Sequence, residues 1–312
     1  MAATAFVTLT ASVSAHAESF DPSVAPFGIA LDGQTVRYET FFTSVSPNEA
    51  LTVALAEDAP AGAYTLVQPE GATAAFVEGA AVWTAPDAPG ESRELKITRA
   101  EGGEITLRVF IEQPASSMDA NGELNGYTIG AYPTAPLRGL ETYGVPTGFI
   151  EVTEANMDTK ISPHFTLGQF LCKQQEGHWP KYVLLDEKLI LKLEALVQDV
   201  NAQGVAADEV FVMSGYRTPW YNRAIGNETT YSQHVFGGAA DIYIDVAPKD
   251  GDMDDVNGDG SVTIADAAWL YERAEAVERA QPDMVGGLGQ YDRNSAHGPF
   301  LHVDSRGFEA RW

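Results

Sequence analysis

Two short segments of the chain carry the side chains that zinc chemistry uses: Ser232-Gln-His-Val-Phe-Gly-Gly-Ala-Ala-Asp241 and Phe300-Leu-His-Val-Asp304. Between them they offer His234, Asp241 and His302, two imidazoles and one carboxylate. A catalytic zinc usually takes three nitrogen or oxygen ligands and keeps a fourth position for a water that turns nucleophilic near neutral pH. Calcium and magnesium prefer shells made of oxygen alone, so this set points to zinc. In Asp241-Ile-Tyr-Ile-Asp245, period-two alternation sends Ile242 and Ile244 to the core and Asp241 to the opposite face. Gly237 and Gly238 allow the turn that brings His234 back toward Asp241, and His302 arrives from a second strand, 300–304.

A second cation motif lies between these segments. Asp255-Val-Asn-Gly-Asp-Gly-Ser-Val-Thr-Ile-Ala-Asp266 matches a twelve-residue calcium loop. Asp255, Asn257 and Asp259 fall at its first, third and fifth places, and Gly260 makes the sixth-place turn. The Ser261 carbonyl falls at the seventh, Val262 is the apolar eighth, and Asp266 closes the loop. Asp266 stands where Glu is more common, as in the dockerin-type loops that this stretch resembles, which implies one calcium-binding oxygen instead of two. A single such loop suggests a structural staple for the insertion between Asp245 and Met284 more than a switch.

The elements that must position these groups follow from periodicity. Leu189, Ile190, Leu193, Leu196, Val197 and Val200 recur at helical spacing behind a capping Asp186, with Gly204 ending the turn that follows. Glu209 to Met213 reads as a strand running into Ser214-Gly-Tyr-Arg-Thr-Pro219, and Ile264 to Arg279 as a helix. Farther upstream the period is two. Thr35 to Phe42, Leu51 to Ala56, Ala63 to Gln68, Ala74 to Val77, Ala81 to Thr84, Leu95 to Ala100 and Ile105 to Ile111 read as seven short strands. Gly, Pro and Asp-rich turns separate them, and the last pair forms a hairpin around Glu101-Gly-Gly103. This pattern predicts an all-β, immunoglobulin-like sandwich over 27–113. Residues 114–160, punctuated by Pro and Asn-Gly, read as a linker. The C-terminal domain, α+β, spans 161–312.

Composition sets the outer bounds. A chain of 312 residues is long enough for two domains. Its 44 acidic and 19 basic residues give a formal net charge of −25, which disfavours nucleic acid and anionic lipid as partners. The first residues form a weakly apolar stretch ending in Ala15-His16-Ala17, which fits signal-peptidase cleavage after residue 17 and a periplasmic or secreted protein. No later run reaches the length of a membrane span. With one cysteine, Cys172, the chain forms no intramolecular disulfide.

The order Ser162-Pro-His-Phe165, Ser214-Gly-Tyr-Arg-Thr-Pro219, Tyr221-Asn222, Ser232-x-His-x-x-Gly-x-Ala-x-Asp241, Gly287-x-Gly-x-Tyr291 and Phe300-Leu-His-Val-Asp304 resembles the zinc D-alanyl-D-alanine peptidases. That group extends to lysostaphin-type endopeptidases and the hedgehog amino-terminal signalling domain. The resemblance covers roughly 161–312 and implies a zinc metallopeptidase fold. It implies hydrolysis of an amide bond in a peptidoglycan stem peptide, by carboxypeptidase or endopeptidase action. It also implies that Arg217 holds a substrate oxygen and that His297, five residues before His302, stabilises the tetrahedral intermediate. One departure stands out: many relatives carry Glu or Asp three residues before the last zinc histidine, and here that residue is Pro299. Asp304, on the same strand face as His302, becomes the candidate for proton shuttling or for orienting the imidazole. The same departure supports an alternative, a non-catalytic zinc-containing cell-wall or surface binding protein stabilised by calcium. Nothing in the sequence names a partner for the sandwich.

Overall fold

Alternation of apolar side chains dominates the first hundred residues, and the computed structural model, which describes residues 20–246 and 248–312, is rich in strand there. The expected signal peptide, residues 1–17, lies outside the described residues. Nine strands follow in order: β1 (Val24–Leu31), β2 (Gln34–Tyr38), β3 (Thr40–Val45), β4 (Ala50–Leu55), β5 (Tyr64–Val67), β6 (Thr73–Ala75), β7 (Ala80–Thr84), β8 (Ser92–Arg99) and β9 (Glu104–Ile111). They make one sheet of order β2-β1-β4-β7 and a second of order β3-β9-β8-β5-β6.

Two features differ from the sequence expectation. β1 has no clean alternation, since Gly28, Ile29 and Leu31 are all covered, so its pattern hides it. Its partner is set by Asp32-Gly33, both at positive φ, which form the two-residue turn between Leu31 and its register partner Gln34. The run Thr35 to Phe42 breaks at Glu39, and its halves join different sheets. Glu39 N–H donates to the Ser23 carbonyl, and the Glu39 carbonyl accepts from Thr106 N–H at the edge of β9. Phe41 and Phe42 are both fully buried, which one face of one sheet cannot achieve.

Residues 114–160, read as a linker, are themselves folded. β10 (Gln113–Pro114), β13 (Gly148–Val152) and β14 (Lys181–Val183) form a three-stranded sheet, and β11 (Glu123–Leu124) and β12 (Tyr127–Thr128) a hairpin. Leu124, Tyr127, Ile129, Phe149 and Tyr182 close a small core of their own.

The C-terminal part adds α1 (Glu187–Ala202), β15 (Phe211–Ser214), α2 (Pro219–Ala224), β16 (Ala239–Tyr243), α3 (Ile264–Ala280), β17 (Gly287–Tyr291), β18 (Phe300–Asp304) and β19 (Ala310–Arg311). Asp186 caps α1 by accepting from Lys188 N–H at 2.9 Å, and Leu189, Leu193, Leu196 and Val200 point inward. Thr263 and Asp266 cap α3 reciprocally. The sheet runs β15-β16-β18-β17-β19, so β16 and β18 are interior strands and every residue of both is buried. One apolar cluster runs from the N-terminal sheets through α1 to this sheet.

Charge is buried in this layer as well. Lys192 of α1, 1% exposed, donates to Glu278 of α3 at 2.6 Å and to the Asp304 carbonyl at 2.9 Å. Arg311 closes on the other Glu278 oxygen. A buried cation between two acceptors therefore ties both helices to the end of β18.

Candidate metal centre

Strand register puts the site together. Ser214 pairs with Asp241, Asp241 with His302 and His302 with Gly289, so four neighbouring strands present one row of residues on one face. His234 reaches the row from a 3-10 turn, Gln233–Phe236, that ends at Gly237 with φ +75°. Gly287 and Gly289 make room on β17. A β-carbon at Gly289 would stand 2.3 Å from the Trp312 indole nitrogen, and one at Gly287 would stand 2.3 Å from an Asp304 carboxylate oxygen. The Gly-x-Gly spacing is thus a steric requirement of the site.

The two histidines turn opposite ring nitrogens toward Asp241. His234 Nδ1 lies 2.7 Å from the Gly215 carbonyl, which can only accept, so Nδ1 carries the proton and Nε2 is a free lone pair. His302 is turned the other way: Nε2 lies 3.1 Å from Asp304 Oδ2, and with the proton held there Nδ1 is the nitrogen that can ligate a cation. Asp241 Oδ1 stands 3.2 Å from His234 Nε2 and 3.0 Å from His302 Nδ1. The ligand atoms of all three residues lie within 4.8 Å of one another, and all three residues are buried. Three acceptors converging away from water repel one another unless a cation or a proton sits among them. One carboxylate and two imidazoles in that arrangement fit zinc.

Electrostatics follow the same geometry. Burial pushes His234 down, and Arg217 adds to this against the pull of Asp241. Burial alone would raise Asp241, but His234 and His302 outweigh it and hold the carboxyl well below the usual range. His302 is raised, because its hydrogen bonds to Asp241 and Asp304 overcome the cost of burial. Arg217 pairs with the second oxygen of Asp241 and donates from Nε to Ser214 Oγ at 2.9 Å.

Asp304 is fully buried and accepts from Gly287 N–H, Arg306 N–H, the Arg306 guanidinium and His302. Of the two roles expected for it, this placement fits orientation of the imidazole. Asp304 does not line the cleft and reaches it through His302. Pro299 is buried beside β18. His297 lines the cleft from an exposed loop, with Nδ1 donating to the Gly298 carbonyl at 2.8 Å and Nε2 accepting from Asn294 at 2.7 Å.

The row opens into a cleft of about 710 Å³ lined by Arg217, Tyr231, Tyr291, His297, Arg306 and Trp312 among others. Among the described residues lining it, Asp241 is the single carboxylate, in a chain with 44 acidic residues. Sequence reasoning missed Arg306 and Trp312. Trp312 lies 5.2 Å from the His302 ring and donates to the Tyr291 hydroxyl at 2.6 Å, and the Arg306 guanidinium stacks on its indole. The two glycines of Gly287-x-Gly were the available signal, since they mark where a bulky group approaches β17.

The calcium-type loop turns its acidic side chains onto its own backbone. Asp255 accepts from Gly258, Asp259 and Gly260 N–H groups, Asn257 from Asp259, and Asp259 from Ser261. Asp266 accepts from Val256, Asn257 and Thr263. Among the described residues, His234, Asp241 and His302 are the one set of three or more His, Cys, Asp or Glu side chains gathered as for a metal; Asp255, Asp259 and Asp266 are not so gathered. The α3 cap and the Val256 and Asn257 N–H groups occupy the Asp266 oxygens that were expected to face the ion.

A face-sharing His-Asp-His set beside an arginine, opening into a cleft, is the equipment of a metallohydrolase. Residues 163–255 match the family described as Peptidase M15, a span that contains His234 and Asp241 and stops before His302. The match supports the M15 zinc D-Ala-D-Ala peptidase family for the C-terminal half of the chain. No curated protein matches the chain. Among solved structures it is similar to the Bacteroides ovatus mixed-linkage glucan utilization locus protein SGBP-B, in complex with a mixed-linkage heptasaccharide. That match is 12% identical, with a TM-score of 0.17, over 30% of this chain and 40% of that one. So small an overlap assigns neither a fold nor a ligand to this chain.

Proposed function

We propose that the C-terminal domain is a zinc-dependent peptidase that hydrolyses an amide bond in peptidoglycan stem peptides. The observation that carries the reading is the convergence of His234 Nε2, Asp241 Oδ1 and His302 Nδ1 within an M15 domain. Zinc held there supplies Lewis acidity for a water and for the scissile carbonyl. Gly215 and Asp304 hold the imidazoles in the tautomers that ligation needs. Arg217, with Nε and Nη2 engaged, offers its remaining Nη1 donors to a substrate oxygen. His297 handles charge and protons at the cleft wall, its Nε2 exchanging the Asn294 amide for substrate.

Pro299 and a cleft poor in carboxylates favour a second reading, in which the domain keeps zinc and binds cell-wall peptide without cutting it. The deciding experiment incubates purified peptidoglycan with the zinc-loaded chain and with its His234→Ala variant, and analyses products by mass spectrometry. Stem-peptide fragments from the wild type alone support the peptidase. A folded, zinc-bound wild type that releases none moves the assignment to the binding module.

We read the N-terminal strands as an immunoglobulin-like sandwich over 27–113. The support is the order β3-β9-β8-β5-β6, with β3 and β9 parallel, beside a sheet that holds the β4–β7 pair. On this division the zinc domain spans 161–312. Export to the periplasm or the medium belongs to the same reading, because that is where the substrate lies. Calcium is a separate proposal: Gly258 and Gly260 at positive φ wrap the 255–266 loop around the Asp255 side chain, and an ion would replace its N–H contacts.

A further inference from the structure

The segment after β16 leaves the sheet, carries the calcium-type loop and returns as α3. Near its start, Asp252 meets the loop that brings His297 to the metal cleft. Asp245 accepts from Asp250 N–H at 3.0 Å and Gly251 N–H at 2.9 Å, and Tyr243 Oη donates to the Gly251 carbonyl at 2.9 Å. Asp254 Oδ2 accepts from Val246 N–H at 2.8 Å. These bonds fix a bend that projects Asp252 toward the loop between β17 and β18.

Asp252 meets that loop at both ends. Its Oδ2 accepts from Arg293 Nη2 at 2.5 Å, just before Asn294. Its Oδ1, which accepts from Met253 N–H at 2.9 Å, lies so close to Gly298 that a β-carbon there would stand 1.8 Å away. Between these two contacts the loop is a tight turn. Asn294 Oδ1 accepts from Ala296 and His297 N–H groups, Asn294 N–H donates to the His297 carbonyl, and the His297 ring rests edge-on against Phe300 at 4.7 Å.

We propose that Asp252 is a positioning residue for His297: by gripping Arg293 and Gly298 it holds the 293–298 loop so that His297 faces the metal cleft. The inserted segment then contributes to the site that it interrupts in sequence, and a side chain at 298 would displace the Asp252 carboxylate from its place. The role of His297 in turnover rests on the proposed peptidase reading; the grip itself does not.

Two measurements separate these. The first is the kcat and KM of the zinc-loaded full chain on peptidoglycan, for wild type, Asp252→Asn, Gly298→Ala, His297→Ala and the Asp252→Asn/His297→Ala double variant. The Asp252–Arg293 pair is partly exposed and restrains the loop weakly, so Asp252→Asn should lower kcat roughly three- to tenfold. KM and zinc content should be unchanged, Gly298→Ala should act alike, and the Asp252 effect should vanish when His297 is already alanine. A kcat loss that persists in the His297→Ala background overturns the proposal. The second measurement needs no activity: the rate at which diethyl pyrocarbonate modifies each histidine, read by mass spectrometry. His297 should react severalfold faster in Asp252→Asn and Gly298→Ala, with His234 and His302 unchanged. Equal His297 rates in all three proteins refute the grip. A wild type that cuts nothing while His297 still responds refutes the peptidase reading and leaves the grip standing.

Discussion

Replacing Asp304 with asparagine tests the whole logic of the metal centre at one atom. The carboxylate serves five donors: Gly287 N–H, Arg306 N–H, the Arg306 Nε and Nη2 groups, and His302 Nε2. An amide keeps one acceptor oxygen and puts two N–H groups where the other oxygen was. Whichever way it turns, a donor then faces a donor. Breaking a buried pair from one side costs about 3–5 kcal/mol, because the remaining charge is stranded. The Arg306 side chain is 18% exposed and can swing toward water, so about 3 kcal/mol is the expected loss of stability.

The second effect is on zinc. With no carboxylate at Nε2, His302 loses the bond that fixes its tautomer and orientation. Loss of such an outer partner typically lowers metal affinity about 10- to 100-fold, or about 1.4–2.8 kcal/mol. Urea denaturation of metal-free protein reads the first number, and competition against a chromophoric chelator reads the second. Keeping the metal out of the unfolding experiment stops the two effects from adding. A variant that loses stability but binds zinc within twofold of wild type refutes the argument, since Asp304 would then be only a counterion for Arg306. His302 would have to ligate, if at all, without its help.

Lys192→Met keeps side-chain length and removes a charge that is 1% exposed; Glu278 retains Arg311, so a loss of about 3 kcal/mol, at the low end for a broken buried pair, is expected in urea denaturation. Glu187 predicts a pH dependence. Burial pushes its carboxyl from 4.5 up to about 8, partly offset by a hydrogen bond from Thr43. The folded state then binds more protons than the unfolded state between those values. Its contribution is full below about pH 4.5 and is lost as pH rises through about 8, so Glu187→Gln should flatten the decline in chemical stability between pH 5 and 9. If calcium occupies the 255–266 loop, saturation to ten times the dissociation constant should stabilise the chain by about 1.4 kcal/mol, and Asp255→Ala should abolish the shift. An unchanged melting temperature in millimolar calcium would remove the ion from the account.

What the sequence made legible was whatever depends on local pattern. The two segments that carry His234, Asp241 and His302 are short and period-two, with glycine at the turn, and each of these signals acts within ten residues. The α1 pattern worked for the same reason, up to a limit: Leu189 and Leu193 mark the buried face, but Lys192 and Glu194 lie on it too, 1% and 0% exposed. A charged residue in an amphipathic helix reads as surface until its partner is known, and the partner of Lys192 is 86 residues away. Asp304 is the same problem at the centre. Two residues from a metal ligand it looks available for protons, yet its surroundings come from Gly287, on a neighbouring strand, and from Arg306, beyond the end of its own.

The break at Glu39 and the folding of 114–160 escaped for a related reason, since sheet membership is decided by partners and not by alternation. Asp252 is the furthest extension of this point. By pattern it is one acidic residue in an acidic insertion, and nothing nearby in sequence distinguishes it from Asp250 or Asp254. Only the approach of Gly298 and Arg293, more than forty residues on, separates it from them. An insertion that reads as an appended calcium module abuts, in three dimensions, the loop that carries His297 to the metal cleft. Its contribution to turnover should therefore persist whether or not calcium binds.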